Sequence, residues 1–421
     1  MNHFKKKALA LHLVGMKGKI ATRVQKNIDS NKDLLLAYSP GVSYPCIEIS
    51  RNKAMVYEYT TKGNFVAVIT NGSAVLGLGN LGSLASKPVM EGKAALLKKF
   101  ANIDAIDVEV DEKDPQKFID VVKSIGGTWG GVNLEDIKAP ECFDIERKLD
   151  QLLDIPVFHD DQHGTAIVIC AALINALFLT KRIRAESRVV VNGAGAASFS
   201  CIYFLRKIGI KEHNIVVCDS IGVIFDGRNI NMNRYKKVMS VKTHLRTLED
   251  ALKYADIFIG LSVKNILTQD MVLSMSKNPI IFAIANPEPE ILPHRVVEMC
   301  DNVIIATGRS DFKNQINNVI CFPYLFRGAL DTRTITINDE IKVAAIYALA
   351  DLVYQDNIKQ NIMSDRRKKL HFTTYQIIPS VFDKRLLQVV STAVAKAAIM
   401  SGVAYVKDFS FYSYSKILKT M

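Results

Sequence analysis

Residues 188–198 read Arg188-Val-Val-Val-Asn-Gly-Ala-Gly-Ala-Ala-Ser198. Three consecutive valines form the short apolar run expected of a strand buried on both faces. Gly193 and Gly195 then permit a tight turn, and residues 196–205 contain neither Gly nor Pro, so a helix follows. A second apolar run, 214–219, ends in Asp219. Strand, glycine turn, helix and acidic-ended strand is the order of a dinucleotide-binding crossover. In that reading Gly193, Ala194, Gly195 and Ala196 offer the pyrophosphate the N–H groups of a helix start, and Asp219 takes ribose hydroxyls. Ser198 stands where a third glycine is usual, which loosens helix–strand packing slightly.

Apolar runs recur at 257–260, 280–285 and 303–307, alternating with helical segments. The chain is therefore expected to be α/β, with a Rossmann-type doubly wound parallel sheet and an N-terminal α/β substrate domain. The expected division is 1–160, 161–385 and a C-terminal helical segment 386–421. Residues 1–30 read as helical and basic. A second glycine string, Gly77-x-Gly79-x-x-Gly82, follows a strand at 65–70. Pro88 falls where a dinucleotide-binding helix would be well under way, so this string is read as a turn, with a helix beginning at Val89.

Between the two glycine strings lies 130–166, with the acidic pairs Glu135-Asp136 and Asp160-Asp161, each after a short apolar run. Carboxylates at the mouth of a buried strand are costly unless compensated, and a divalent cation compensates them. Oxygen ligands suit Mg²⁺ or Mn²⁺, and no Cys/His cluster there has zinc spacing. The plainer alternative is two solvated acidic pairs at strand ends.

The 421 residues suffice for two cores. Seven cysteines without a Cys-x-x-Cys pair point to free thiols in a reducing, cytoplasmic setting. The net charge of +12 comes from scattered Lys and Arg, which argues against nucleic acid and for a solvated basic surface. The apolar stretch 165–179 is too short for a bilayer and carries Asn175, so it is read as a buried helix and no membrane is expected.

The strings Asn133-Leu-Glu-Asp-Ile-Lys-Ala-Pro-Glu141 and Phe158-His-Asp-Asp-Gln-His-Gly-Thr-Ala166 resemble those of the malic enzymes, especially the short prokaryotic branch, and the likeness runs from about 30 to about 400. The resemblance implies that Glu135, Asp136 and Asp161 hold the metal, with Asp160 beside the catalytic base. It makes Lys93, in Val-Met-Glu-Gly-Lys-Ala, the general base and Tyr38, in Ala-Tyr-Ser-Pro-Gly-Val, the general acid. It places Asn286 and Asn318 against cofactor and substrate, and puts the first glycine string in the substrate domain. Many members continue into a phosphotransacetylase-like domain, which is not expected here. A homodimer or higher homo-oligomer is expected.

The implied reaction is oxidative decarboxylation of malate to pyruvate and CO₂ with NAD or NADP. Asp219 and Ile221, which offer a 2′-phosphate no cation, lean toward NAD, although Arg228 is near. One rival is a metal-dependent 2-hydroxy-acid dehydrogenase that does not decarboxylate. The other is a basic binding protein without turnover. The polar stretch 354–374 has no assigned role.

Overall fold

The computed structural model describes residues 2–300, 302–363 and 376–421. Two parallel sheets carry the fold. The first holds β1 (Phe65–Thr70), β2 (Asp104–Glu109), β3 (Gly131–Leu134) and β4 (Val157–His159), in the order β2-β1-β3-β4. All its pairings are parallel, so every strand's carboxyl end points to one rim. The second holds β5 (Val189–Asn192), β6 (Ile215–Asp219), β7 (Gly222–Val223), β8 (Ile257–Gly260), β9 (Ile280–Ala283) and β10 (Ile304–Thr307), in the order β10-β9-β8-β5-β6-β7. Only the short edge strand β7 runs antiparallel. The strand order reverses between β5 and β8, and such switch points open the crevice that binds ligands in doubly wound sheets. The fold class read from the sequence is the one found.

The helix Asp160–Thr180 follows β4 directly and is buried almost throughout, from Ala166 to Leu173 without interruption. It is long and apolar enough to cross a membrane, but 83% of its apolar window lies inside the protein. An apolar circumference of this kind belongs to a central core helix. The helices Ala196–Lys207 and Asp339–Met363 pack on it, and one continuous core runs from Val66 and Met90 through Ile167 to Val191 and Val390.

Three local expectations are corrected. Residues 1–30 are helical only over Asn2–Leu13. Gly15 and Gly18 beyond it take positive φ, which a helix does not accommodate. The helix expected from Val89 begins at Ser83 and runs to Ala101 with Pro88 inside. Leu84, whose carbonyl loses its helical partner to Pro88, is solvent-exposed, so water can serve it. Strand β2, not expected at all, has Asp at 104 and 107 and Glu at 109, which hide its apolar alternation. Of the stretch 354–374, residues 354–363 end the helix Asp339–Met363 and 364–374 lie outside the described residues.

Candidate active site

The pairing of β3 with β4 places Leu134 opposite His159. The residues that follow, Glu135-Asp136 and Asp160-Asp161, therefore leave the sheet side by side. The Asp136 N–H donates to Asp161 Oδ2 at 2.7 Å, locking the two strand ends together. One oxygen from each of Glu135, Asp136 and Asp161 lies within 4.8 Å of the others. That spread matches oxygens around a single divalent cation at ligand distances of about 2.1–2.5 Å. Glu135 and Asp136 are buried and Asp161 is 35% exposed, so the cluster has one open side. Asp136 Oδ2 is buried without a hydrogen-bond partner, an orphaned acceptor that a cation would satisfy.

Lys93 lies on the helix Ser83–Ala101, which packs against β1 and β2. Its ammonium is buried, pairs with Asp160 Oδ2, lies 3.0 Å from Glu135 Oε1, and stacks 4.5 Å from the centre of the Phe322 ring. Burial alone would lower its pKa, but Asp160, Glu135 and Asp161 outweigh it and raise it. The pull toward neutrality expected of a base is therefore absent here, because these three carboxylates act on one ammonium. Burial and mutual repulsion push the carboxyls up as well, Glu135 to about 7 and Asp136 to about 8. Asn318 lies beside the first turn of the helix that carries Asp160: a methyl on Gly164 would sit 1.9 Å from Asp160 Oδ1 and 3.2 Å from Asn318 Cβ.

On the second sheet, Gly193 takes φ +125° and packs so closely that a Cβ would lie 2.3 Å from the Leu261 carbonyl. Gly195 caps the helix Ala196–Lys207, and a Cβ there would meet nothing within 4 Å. This open cradle at a helix N-terminus suits a pyrophosphate. Asn286 follows β9, beside Gly308 at the end of β10.

Two of the sequence-predicted residues stand apart from this geometry. Asp219 is not free for ribose hydroxyls: Arg228 grips both its oxygens and Lys236 donates at 2.7 Å. Against burial, these bonds hold its carboxyl at about 2. Tyr38 is 69% exposed, and among the described residues no contact joins it to Lys93 or the carboxylates. It ends a short helix, Asn31–Ala37, that buries none of its residues.

The sequence reading also missed a supporting network. Glu146, on the helix Glu141–Leu152, accepts from the His159 N–H at 2.9 Å and from Gln162 Nε2 at 2.8 Å, and meets His163 Nε2 at 2.8 Å. Burial opposes its charge, yet His163 and Lys342 hold it at about 2. It thereby fixes the turn carrying Asp160 and Asp161. Its only sequence signal was a glutamate on the apolar face of an amphipathic helix.

Residues 17–150 match the family model of the malic enzyme N-terminal domain, and residues 162–385 match that of the malic enzyme NAD binding domain. The chain belongs to the malic enzyme family. It is 56% identical over 411 residues to a probable NADP-dependent malic enzyme of Rickettsia prowazekii, covering 98% of this chain and 54% of that protein. It is 50% identical over 397 residues to the NADP-dependent malic enzyme of Halomonas elongata, covering 94% of each. The chain spans about half the length of curated relatives such as the Rickettsia protein. Among solved structures, the malic enzyme from Pyrococcus horikoshii superposes with a TM-score of 0.88 at 39% identity, covering 99% of this chain and 96% of that one.

Proposed function

We propose that the chain oxidatively decarboxylates malate to pyruvate and CO₂ with a nicotinamide dinucleotide and a divalent cation. The observation that carries this is the convergence of the Glu135, Asp136 and Asp161 oxygens beside a buried lysine. Glu135, Asp136 and Asp161 would hold Mg²⁺ or Mn²⁺, and Gly193 to Ala196 would receive the pyrophosphate. When bound, the cation supplies Lewis acidity and the dinucleotide accepts hydride. Lys93 Nζ, once its own proton has passed to the paired Asp160, would take the proton of the malate C2 hydroxyl, and Asp160 holds the nitrogen in place. Asn286 and Asn318 orient substrate and nicotinamide. Tyr38 returns a proton to C3 through its hydroxyl. The deciding assay supplies malate with NAD⁺ or NADP⁺, with and without Mn²⁺, and scores pyruvate and CO₂. A keto acid formed without CO₂ would favour the non-decarboxylating dehydrogenase, and no turnover would favour the binding protein.

The same assay separates the cofactors, and we read the ribose pocket as favouring NADP. The lean to NAD depended on a free Asp219. Arg228 and Lys236 instead leave that pocket with one excess positive charge, which suits a 2′-phosphate. We divide the chain at 160/161, at the first residue of the central helix Asp160–Thr180, and again at 385/386. The cytoplasm suits the thiols of Cys46, Cys142, Cys170, Cys201, Cys218 and Cys321, which form no disulfide.

We further infer a homo-oligomer in which Tyr38 serves the site of a second copy. Leu34, Leu35, Leu36, Tyr38 and Tyr44 are exposed along 31–51. Leu76, Leu78 and Leu81 are exposed on the loop beside the carboxylates. Two such apolar patches on one chain suit reciprocal burial across a two-fold axis. Mixing Tyr38→Phe with Lys93→Ala, each nearly inactive alone, should restore up to about a quarter of wild-type activity, as half of random dimers carry one intact site. Mixtures no better than their parents would return Tyr38 to its own chain.

A further inference from the structure

The first glycine string has no part in the reaction described above, yet it lies between the two halves of the site. The loop closes on itself, with the Gly82 N–H donating to the Gly72 carbonyl at 3.0 Å. Inside it, residues 75–79 form a turn in which the Val75 N–H donates to the Gly79 carbonyl at 2.9 Å. Asp136 suspends this turn: its carbonyl accepts from the Ala74 N–H at 2.9 Å and its Oδ1 from the Leu76 N–H at 3.2 Å. Leu76 takes φ +49° to do so, a conformation a leucine adopts only under constraint. The next residue, Gly77, presses on the other domain. A methyl added to it would lie 2.3 Å from the carbonyl oxygen of Asn286 and 4.0 Å from Pro287 Cδ.

The receiving side is equally confined. Behind Asn286, a methyl on Gly308 would lie 2.8 Å from the Asn286 side-chain nitrogen. The buried carboxylate of Glu290 accepts from the Ala285 N–H at 3.0 Å and the Ser262 N–H at 3.1 Å, tying the loop after β9 to the loop after β8. The path from the carboxylate cluster to the dinucleotide side is thus Asp161, Asp136, the 75–79 turn, Gly77 and Asn286, with no slack at the crossing.

We propose that Gly77 is a positioning residue through which occupancy of the carboxylate cluster and affinity for the dinucleotide are coupled. A cation drawing in Asp136 sets the turn that Asp136 suspends, and Gly77 transmits that setting to Asn286. Glycine is required because any side chain would hold the loops apart. The inference rests on the functional reading above, since it presumes both ligands.

The test titrates the full chain with NADP⁺ by calorimetry, with and without saturating Mn²⁺ and without malate, correcting for Mn²⁺ bound by free nucleotide. In the wild type Mn²⁺ should tighten NADP⁺ binding by about fivefold or more, and NADP⁺ should tighten Mn²⁺ binding equally, as linkage requires. In Gly77→Ala the factor should fall to about one, while Mn²⁺ affinity measured alone stays within about threefold of wild type. Should that variant fail to fold, hydrogen exchange on the wild type decides: Mn²⁺ alone should protect the amides of Ala285, Asn286 and Glu288. Binding of both ligands without coupling, full coupling in Gly77→Ala, or unchanged exchange at these amides would overturn the inference alone. Failure of the wild type to bind either ligand would overturn the functional reading as well.

Discussion

Glu135 and Asp136 concentrate the chemistry of the site, because burial and neighbouring charge make their protons hard to remove. Their carboxyls are raised to about 7 and about 8, whereas a cation binds only the ionised forms. The sign follows directly: protons compete with metal below these values, so binding should release protons and weaken as the pH falls from 8 to 6. Calorimetry in buffers of different ionisation enthalpy would measure the release. A Mn²⁺ affinity constant across that range would mean that the cluster is already ionised or does not take the ion. The identity of these residues was legible because two acidic pairs each closed an apolar run. The state of Lys93 was not, because it depends on Asp160, 67 residues away, and on Glu135 reaching one ammonium. Asp219 was legible as the acidic end of a strand. Its capture by Arg228 and Lys236 was hidden, because a side chain's partner across an intervening loop leaves no periodic trace.

At the scale of elements, strands buried on both faces announced themselves as unbroken apolar runs, and β5, β6, β8, β9 and β10 lie where those runs stood. Strand β2 escaped because its acidic residues are held by ion pairs that the sequence does not show, Asp107 and Glu109 with Lys87 and Asp104 with Lys98. The two glycine strings differ in what precedes their helices. A tight turn leads from β5 into the helix Ala196–Lys207, whereas twelve residues separate β1 from the helix Ser83–Ala101. The turn after β5 leaves open space beside Gly195 at the helix start. Gly195→Val should therefore fill that cradle and lower NADP⁺ affinity by at least about tenfold, and its Cβ would meet no protein atom within 4 Å. Fluorescence titration with NADPH checks it, and an unchanged dissociation constant would remove the dinucleotide from this turn.

Across the whole molecule, the two sheets bring their functional rims together because the helix Asp160–Thr180 begins at the carboxylate cluster and packs beneath the second sheet's first helix. That arrangement could be foreseen from the order of the motifs along the chain. The exposure of Tyr38 could not, since nothing local distinguishes a tyrosine that turns inward from one that reaches out. The central claim is that Glu135, Asp136 and Asp161 hold one divalent cation, and titration of Mn²⁺ by electron paramagnetic resonance tests it most directly. Wild-type protein should take up one Mn²⁺ per chain at pH 8. Asp161→Asn preserves the shape but removes a ligand charge from the cluster's open side, and it should weaken that binding by about tenfold to a hundredfold while the protein stays folded. Equal Mn²⁺ affinity in the folded variant and the wild type would contradict the account.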